Sequence, residues 1–161
     1  MSEGLTKAAE RLARELLSRS LTISVAESCT GGMAAGTLTD VAGISGTFKL
    51  GIVAYSDGAK VGVLGLDGEM LAANGAVSGE TAAAMAKAIR RMGATDIGVG
   101  ITGIAGPSGG TPGKPVGLVF IGAATASGHL CREFRFVGSR RKIREAAVRA
   151  AMELVQEVVR Q

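Results

Sequence analysis

The chain has 161 residues, 47% of them apolar and 20% charged, with 25 glycines, one Tyr and no Trp. That is the length and composition of one globular domain with enough apolar residues for a core, and it excludes a disordered chain. The formal net charge is only +4, and so few aromatics argue against a base-stacking platform for nucleic acid.

Glycine stands at about twice its ordinary usage of roughly 7%, without a collagen-like period, which points to tight turns and close backbone approaches. The two cysteines, Cys29 and Cys131, form no disulfide framework, and the N-terminus does not read as a signal peptide. No apolar run approaches the ~18 residues of a membrane span. The expectation is a cytoplasmic protein without a membrane partner.

In chain order, Leu5, Ala8, Ala9, Leu12 and Leu16 recur at helical spacing and predict an amphipathic helix over residues 5–18. Residues 21–26 form a short strand, followed by a helix carrying Met33, Thr37, Leu38 and Val41 and entered through Thr30-Gly31-Gly32. "FKLGIVAY" reads as the next strand, with Ser56-Asp57 as a cap and a short helix over residues 59–64. Ser78 caps a longer helix that ends at Gly93. "DIGVGIT" is a buried strand leading into the turn-rich "GIAGPSGGTPGKP". Residues 116–126 and 130–137 read as a hairpin, and Ser139 opens a last helix with an apolar stripe from Ile143 to Val158. Alternating strands and helices followed by a hairpin predict a three-layer α/β/α fold with a mixed sheet, in one domain over residues 1–161.

Two motifs fail on context. Gly98-Val-Gly100-Ile-Thr-Gly103 spells G-x-G-x-x-G, but its glycines lie inside a strand, no helix follows, and no Asp or Glu occurs over residues 97–132. A dinucleotide fingerprint needs all three features. Ser139-Arg-Arg-Lys142 spells S-x-x-K without the S-D-N and K-T-G that accompany it in penicillin-recognising enzymes. One histidine and two distant cysteines make no metal site.

"SVAESCTGGM" is the stretch that invites chemistry. A strand stops and a hydroxyl, a thiol, a second hydroxyl and two glycines follow where a helix begins. Ser28 or Thr30 as a helix cap is one reading. The other is a nucleophile, Ser28 or Cys29, at the carboxyl edge of a sheet, with the N–H groups of Thr30, Gly31 and Gly32 as an oxyanion hole. A serine needs a base. The lone His129 belongs to a hairpin turn, whereas "YSDGAK" places Lys60 in the first turns of a helix, where the helix N-terminus and burial both disfavour an ammonium. Tyr55 ends the preceding strand and reads equally as core. Arg135, Arg140, Arg141, Lys142, Arg144 and Arg149 form a basic cluster that is either a solvated helix face or an anion site.

"AESCTGG", "GIVAYSDGAK", "GAVSGETA", "GITGIAGPSGG…KPVGLV" and "GSRRKIR" follow in order along nearly the whole chain. In these motifs the chain resembles the C-terminal domain of the CinA competence/damage-inducible proteins, in the stand-alone form of the PncC nicotinamide-nucleotide amidohydrolases. The resemblance implies hydrolysis of nicotinamide mononucleotide to nicotinate mononucleotide and ammonia, with no metal or other cofactor, in pyridine nucleotide salvage. It implies Ser28 as nucleophile and Lys60 as base and then acid. Tyr55 and Thr102 would orient that pair or bind substrate, with their roles left open between them. Arg140 would meet the nucleotide phosphate, and Thr30, Gly31, Gly32 and Gly103 would line the substrate site. It also implies a homodimer whose partner is a small nucleotide, with nucleic acid disfavoured. A non-catalytic partner module for competence or DNA-damage proteins is the other reading; a binding module has no need of both Ser28 and Lys60.

Overall fold

The computed structural model describes residues 3–161. Helix α1 (Glu3–Ser18) is followed by β1 (Ile23–Glu27), α2 (Met33–Thr39), β2 (Phe48–Val53), α3 (Asp57–Gly62), α4 (Gly68–Asn74) and α5 (Gly79–Gly93). Strands β3 (Ile97–Gly103), β4 (Leu118–Ala124) and β5 (His129–Arg135) come next, and α6 (Arg140–Arg160) ends the chain. The strands form one mixed sheet ordered β2-β1-β3-β4-β5, parallel across β2, β1 and β3 and antiparallel beyond. The α/β/α arrangement is the one the alternation of elements predicts.

One face of the sheet carries α1, α2 and α6. Leu5, Leu12 and Leu16 of α1 and Ile143, Val148 and Leu154 of α6 bury against Ile23, Val25, Val99 and Ile101. α5 lies on the opposite face, and the glycines of the rejected fingerprint explain how. A Cβ at Gly98 would stand 2.1 Å from the Ala86 carbonyl oxygen, one at Gly100 2.3 Å from that of Ala82, and one at Gly122 2.7 Å from the same Ala82 oxygen. Gly100 and Gly122 are cross-strand partners, so the three form a side-chain-free strip on which the α5 backbone rests. These glycines serve packing between helix and sheet.

Several predicted boundaries move by a few residues. Ser56, Ser78 and Ser139 each accept a backbone N–H at a helix start, as read from the sequence. Helix α3 starts two residues earlier than its apolar pattern suggested, and α5 ends in a left-handed Ala94 after Gly93. Helix α4 was not anticipated. Asp67 caps it by accepting from Glu69 N and Met70 N, but seven residues are too few for a clear apolar period. Among the described residues no helix is long and apolar enough to cross a membrane.

Gly100→Ala should destabilise the fold by about 2 kcal/mol or more, because backbone has to yield to the new methyl. Gly36, in α2 with nothing within 4 Å of a built Cβ, is the control. Its replacement by Ala should stabilise by about 0.5 kcal/mol. Equal effects of the two in urea denaturation would contradict this account of the glycine strip.

Candidate active site

Parallel strands β1 and β3 are neighbours, and the connections leaving and entering them run on opposite faces of the sheet. The crevice outside their carboxyl ends is where open α/β sheets place ligands. Ser28 N–H donates to the Ile101 carbonyl at 2.9 Å and Ala54 N–H to the Glu27 carbonyl at 2.8 Å, which fixes the end of β1 between its two neighbours. A cleft of about 270 Å³ opens there, and its wall includes Ser28, Cys29, Tyr55, Asp57, Lys60, Thr102, Gly103 and Arg140.

Lys60 is 1% exposed, and its Nζ donates to Ser28 Oγ at 3.3 Å and to the Tyr55 carbonyl at 3.4 Å. Asp57 Oδ1 stands 3.7 Å away on the third side. The local chain makes this possible: the Ser56 cap starts α3 immediately after β2, and Lys60, one turn on, points back under the cleft. Lys60 is the fourth of the six residues of α3, within the first turns of the helix where the sequence places it.

Tyr55 contributes its carbonyl to Lys60, while its ring is 58% exposed and its hydroxyl accepts from Arg140 Nη2 at 2.9 Å. Thr102 is buried, lies on the cleft wall and donates to the Ala76 carbonyl at 2.6 Å, so its hydroxyl can otherwise only accept. Neither side chain contacts the Ser28–Lys60 pair through a hydrogen bond. Arg140, the first residue of α6, also donates from Nη1 to the Gly106 carbonyl at 2.8 Å, so it closes one end of the cleft.

The glycines after Ser28 have a different task from the one read into them. Thr30, Gly31 and Gly32 do not line the cleft. Gly31 N–H is committed to the Ser28 carbonyl at 3.0 Å, and Gly31 and Gly32 take positive φ of 58° and 89°. Arg144 Nη2 donates to the Thr30 carbonyl at 2.6 Å, where a Cβ on Gly31 would crowd the guanidinium at 3.2 Å. The turn is thus shaped for tight backbone geometry. Gly103 does line the cleft, and it needs to be glycine because a Cβ would meet the Leu118 carbonyl at 2.7 Å.

Sequence reasoning missed Glu27 and Asp57. Neither Ser28 nor Thr30 caps α2: the cap position is Gly32, without a side-chain bond. Instead the buried Glu27 carboxylate reaches across the turn and accepts from Ala34 N at 2.9 Å and Ala35 N at 2.8 Å. It joins the end of β1 to the start of α2 and so holds the intervening turn at both ends. A carboxylate ending an apolar strand just before a helix was the available signal. For Asp57 the signal was its spacing of three from Lys60.

The rival nucleophile is disarmed by its surroundings. Burial, with the Glu27 carboxylate adding to it, pushes the Cys29 thiol up to about 12, and a protonated thiol is a poor nucleophile. His129 is exposed at the start of β5, where it pairs with Ala124, which in turn pairs with Gly98. That is the edge of the sheet opposite Ser28. Half of the basic cluster is consumed internally: Arg135 pairs with Glu133, Arg141 with Glu145 and Arg149 with Glu153. Of the cluster, Arg140 lines the cleft and Arg144 holds the turn after β1 at the Thr30 carbonyl.

With a cleft at the sheet's carboxyl edge and a buried lysine against a serine, the class is an α/β protein with a serine–lysine site. A family model for the CinA C-terminal domain matches residues 5–159, and the chain belongs to that family. A putative competence-damage inducible protein of Acetivibrio thermocellus is 48% identical over 91% of this chain and 36% of its own length. A CinA-like protein of Anaeromyxobacter sp. (strain K) is 46% identical over 98% of this chain and 39% of its own length. The chain therefore spans little more than a third of these relatives. Among solved structures, competence/damage inducible protein CihA from Agrobacterium tumefaciens superposes with a TM-score of 0.95 at 39% identity, covering 100% of this chain and 98% of that one. A CinA superfamily protein from Klebsiella pneumoniae gives 0.93 at 34% identity, with 96% and 97% covered.

Iodoacetamide at pH 8 should leave Cys29 unmodified in the native protein. Its raised pKa keeps the thiol protonated there, so native alkylation should begin only as pH climbs well above 9 toward 12. Peptide mapping before and after denaturation reads this directly, and ready native alkylation of Cys29 at pH 8 would contradict it.

Proposed function

We propose that this protein hydrolyses the carboxamide of nicotinamide mononucleotide, giving nicotinate mononucleotide and ammonia, through an acyl-enzyme on Ser28. The observation that carries the reading is the set of partners around Lys60 Nζ. As an ammonium it has three N–H groups for Ser28 Oγ, the Tyr55 carbonyl and the Asp57 carboxylate. A neutral amine has two N–H groups and one lone pair. The Tyr55 carbonyl and an ionised Asp57 only accept, so both N–H groups turn to them. The lone pair is left facing Ser28, the one partner able to donate. This set of partners supports reading Lys60 as a base aimed at a hydroxyl.

The steps follow from that. Lys60 takes the Ser28 proton as Oγ attacks the carboxamide carbon, and negative charge develops on the carboxamide oxygen. The backbone N–H of Cys29, next to the nucleophile and on the cleft wall, is the candidate donor for that oxygen. The Lys60 ammonium then gives its proton to the departing nitrogen and ammonia leaves. Water, deprotonated by Lys60, attacks the ester, and Lys60 returns that proton to Ser28 Oγ as the acyl–oxygen bond breaks. The acid product gives up its own proton, which Lys60 can take, to become the carboxylate. Thr102 offers acceptor lone pairs for the carboxamide N–H groups. Arg140 spends two of its five N–H groups on Gly106 and Tyr55, and the remainder can meet a phosphate at the cleft end.

Ammonia release from nicotinamide mononucleotide in the presence of EDTA tests this. Ser28→Ala and Lys60→Met, each checked for folding by circular dichroism, should lose about 10³-fold or more in kcat. Cys29→Ala should stay within a few-fold of the unmodified protein. Arg140→Ala should raise KM by about tenfold with a smaller change in kcat. No ammonia from the folded unmodified protein, or undiminished release from Ser28→Ala, would sink the proposal.

A further inference from the structure

Asp57 is the one carboxylate among the residues lining the cleft, and the steps above give it no proton to carry. Two cations, Lys60 and Arg140, share that lining. A cleft with this balance has a predictable fault if it performs the proposed reaction, on which this inference rests. The substrate carries a neutral carboxamide and the product a carboxylate, whereas the ring and the phosphate are common to both. Hydrolysis therefore creates a new negative charge at Ser28, beside the Lys60 ammonium. An unopposed ammonium there would hold the product more tightly than the substrate, and turnover would stall on product release.

We propose that Asp57 is a specificity-determining residue that makes the cleft disfavour the carboxylate product relative to the carboxamide substrate. Its Oδ1 stands 3.7 Å from Lys60 Nζ, which is itself 3.3 Å from Ser28 Oγ. The two acidic groups, one fixed and one newly formed, thus compete for the same ammonium and repel each other across it. A carboxamide meets no such repulsion. The Asp57 side chain is 66% exposed, so solvent screens the effect and sets it at about three- to tenfold in relative affinity. The same exposure makes the position tolerant: Ser56, and not Asp57, caps α3.

Binding measured without turnover tests this apart from catalysis. In a Ser28→Ala background, titration calorimetry gives the dissociation constants of nicotinamide mononucleotide and nicotinate mononucleotide separately. Adding Asp57→Asn should tighten the acid relative to the amide by about three- to tenfold, and the gain should shrink as salt is raised. Asp57→Glu, which keeps the charge, should retain most of the original discrimination. An acid-to-amide ratio unmoved by Asp57→Asn, with both nucleotides binding, would overturn the role of Asp57 while leaving the proposed reaction standing. Failure of both nucleotides to bind the folded Ser28→Ala protein would overturn the proposed substrate, and this inference with it.

Discussion

A lysine with 1% exposure is the constraint around which the site is arranged. Burying an ammonium is costly unless partners replace its lost water. Here the partners come from separate segments: Ser28 at the end of β1, the Tyr55 carbonyl just after β2, and Asp57 at the start of α3. None of them suffices alone. Satisfying Lys60 therefore requires that the β1 turn, the end of β2 and the short α3 all be in place together. Folding and assembly of the proposed catalytic pair are the same event.

The rest of the structure holds those segments still. Ser28 is tied to β3 through Ile101, and Glu27 is tied to β2 through Ala54 and to α2 through two amides. Arg144 grips the turn from α6 at the Thr30 carbonyl, and Arg140, one turn earlier, closes the cleft end through Tyr55 and Gly106. The glycine strip lets α5 lie directly on β3 and β4, which carries the opposite wall of the domain close beneath the site. Packing and chemistry share residues because the turn after β1 is short and is held at Glu27, Ser28 and Thr30.

The elements were largely legible because their signals are local. The apolar stripes of α1 and α6, the buried run of β3 and the serines ahead of α3, α5 and α6 each report on structure within a few residues. The catalytic candidates Ser28 and Lys60 were legible through their motifs, and Arg140 only through the family resemblance carried by "GSRRKIR". Less legible was whatever depends on where a side chain turns. Glu27 reads only as the residue at which an apolar strand stops until its carboxylate is seen accepting from the first amides of α2. Tyr55 reads as core or, by resemblance, as a residue that orients the pair or binds substrate; the sequence does not say that its carbonyl meets Lys60 while its hydroxyl meets Arg140. The glycines of "TGG" suggested an open oxyanion hole. Their positive φ values and the Gly31 bond to Ser28 show a tight turn instead, a distinction that glycine alone does not encode.

The central claim is that the carboxamide passes through an ester on Ser28 formed with the help of Lys60. An acyl-enzyme can be intercepted by a competing nucleophile, whereas direct attack by water on the amide cannot be. Nicotinamide mononucleotide should be turned over with and without hydroxylamine, with ammonia, acid and hydroxamate followed separately. The account predicts hydroxamate formed at the expense of acid while ammonia release does not slow, and neither product from folded Ser28→Ala. Acid alone at every hydroxylamine concentration would mean that water attacks the carboxamide directly and that Ser28 is not the nucleophile.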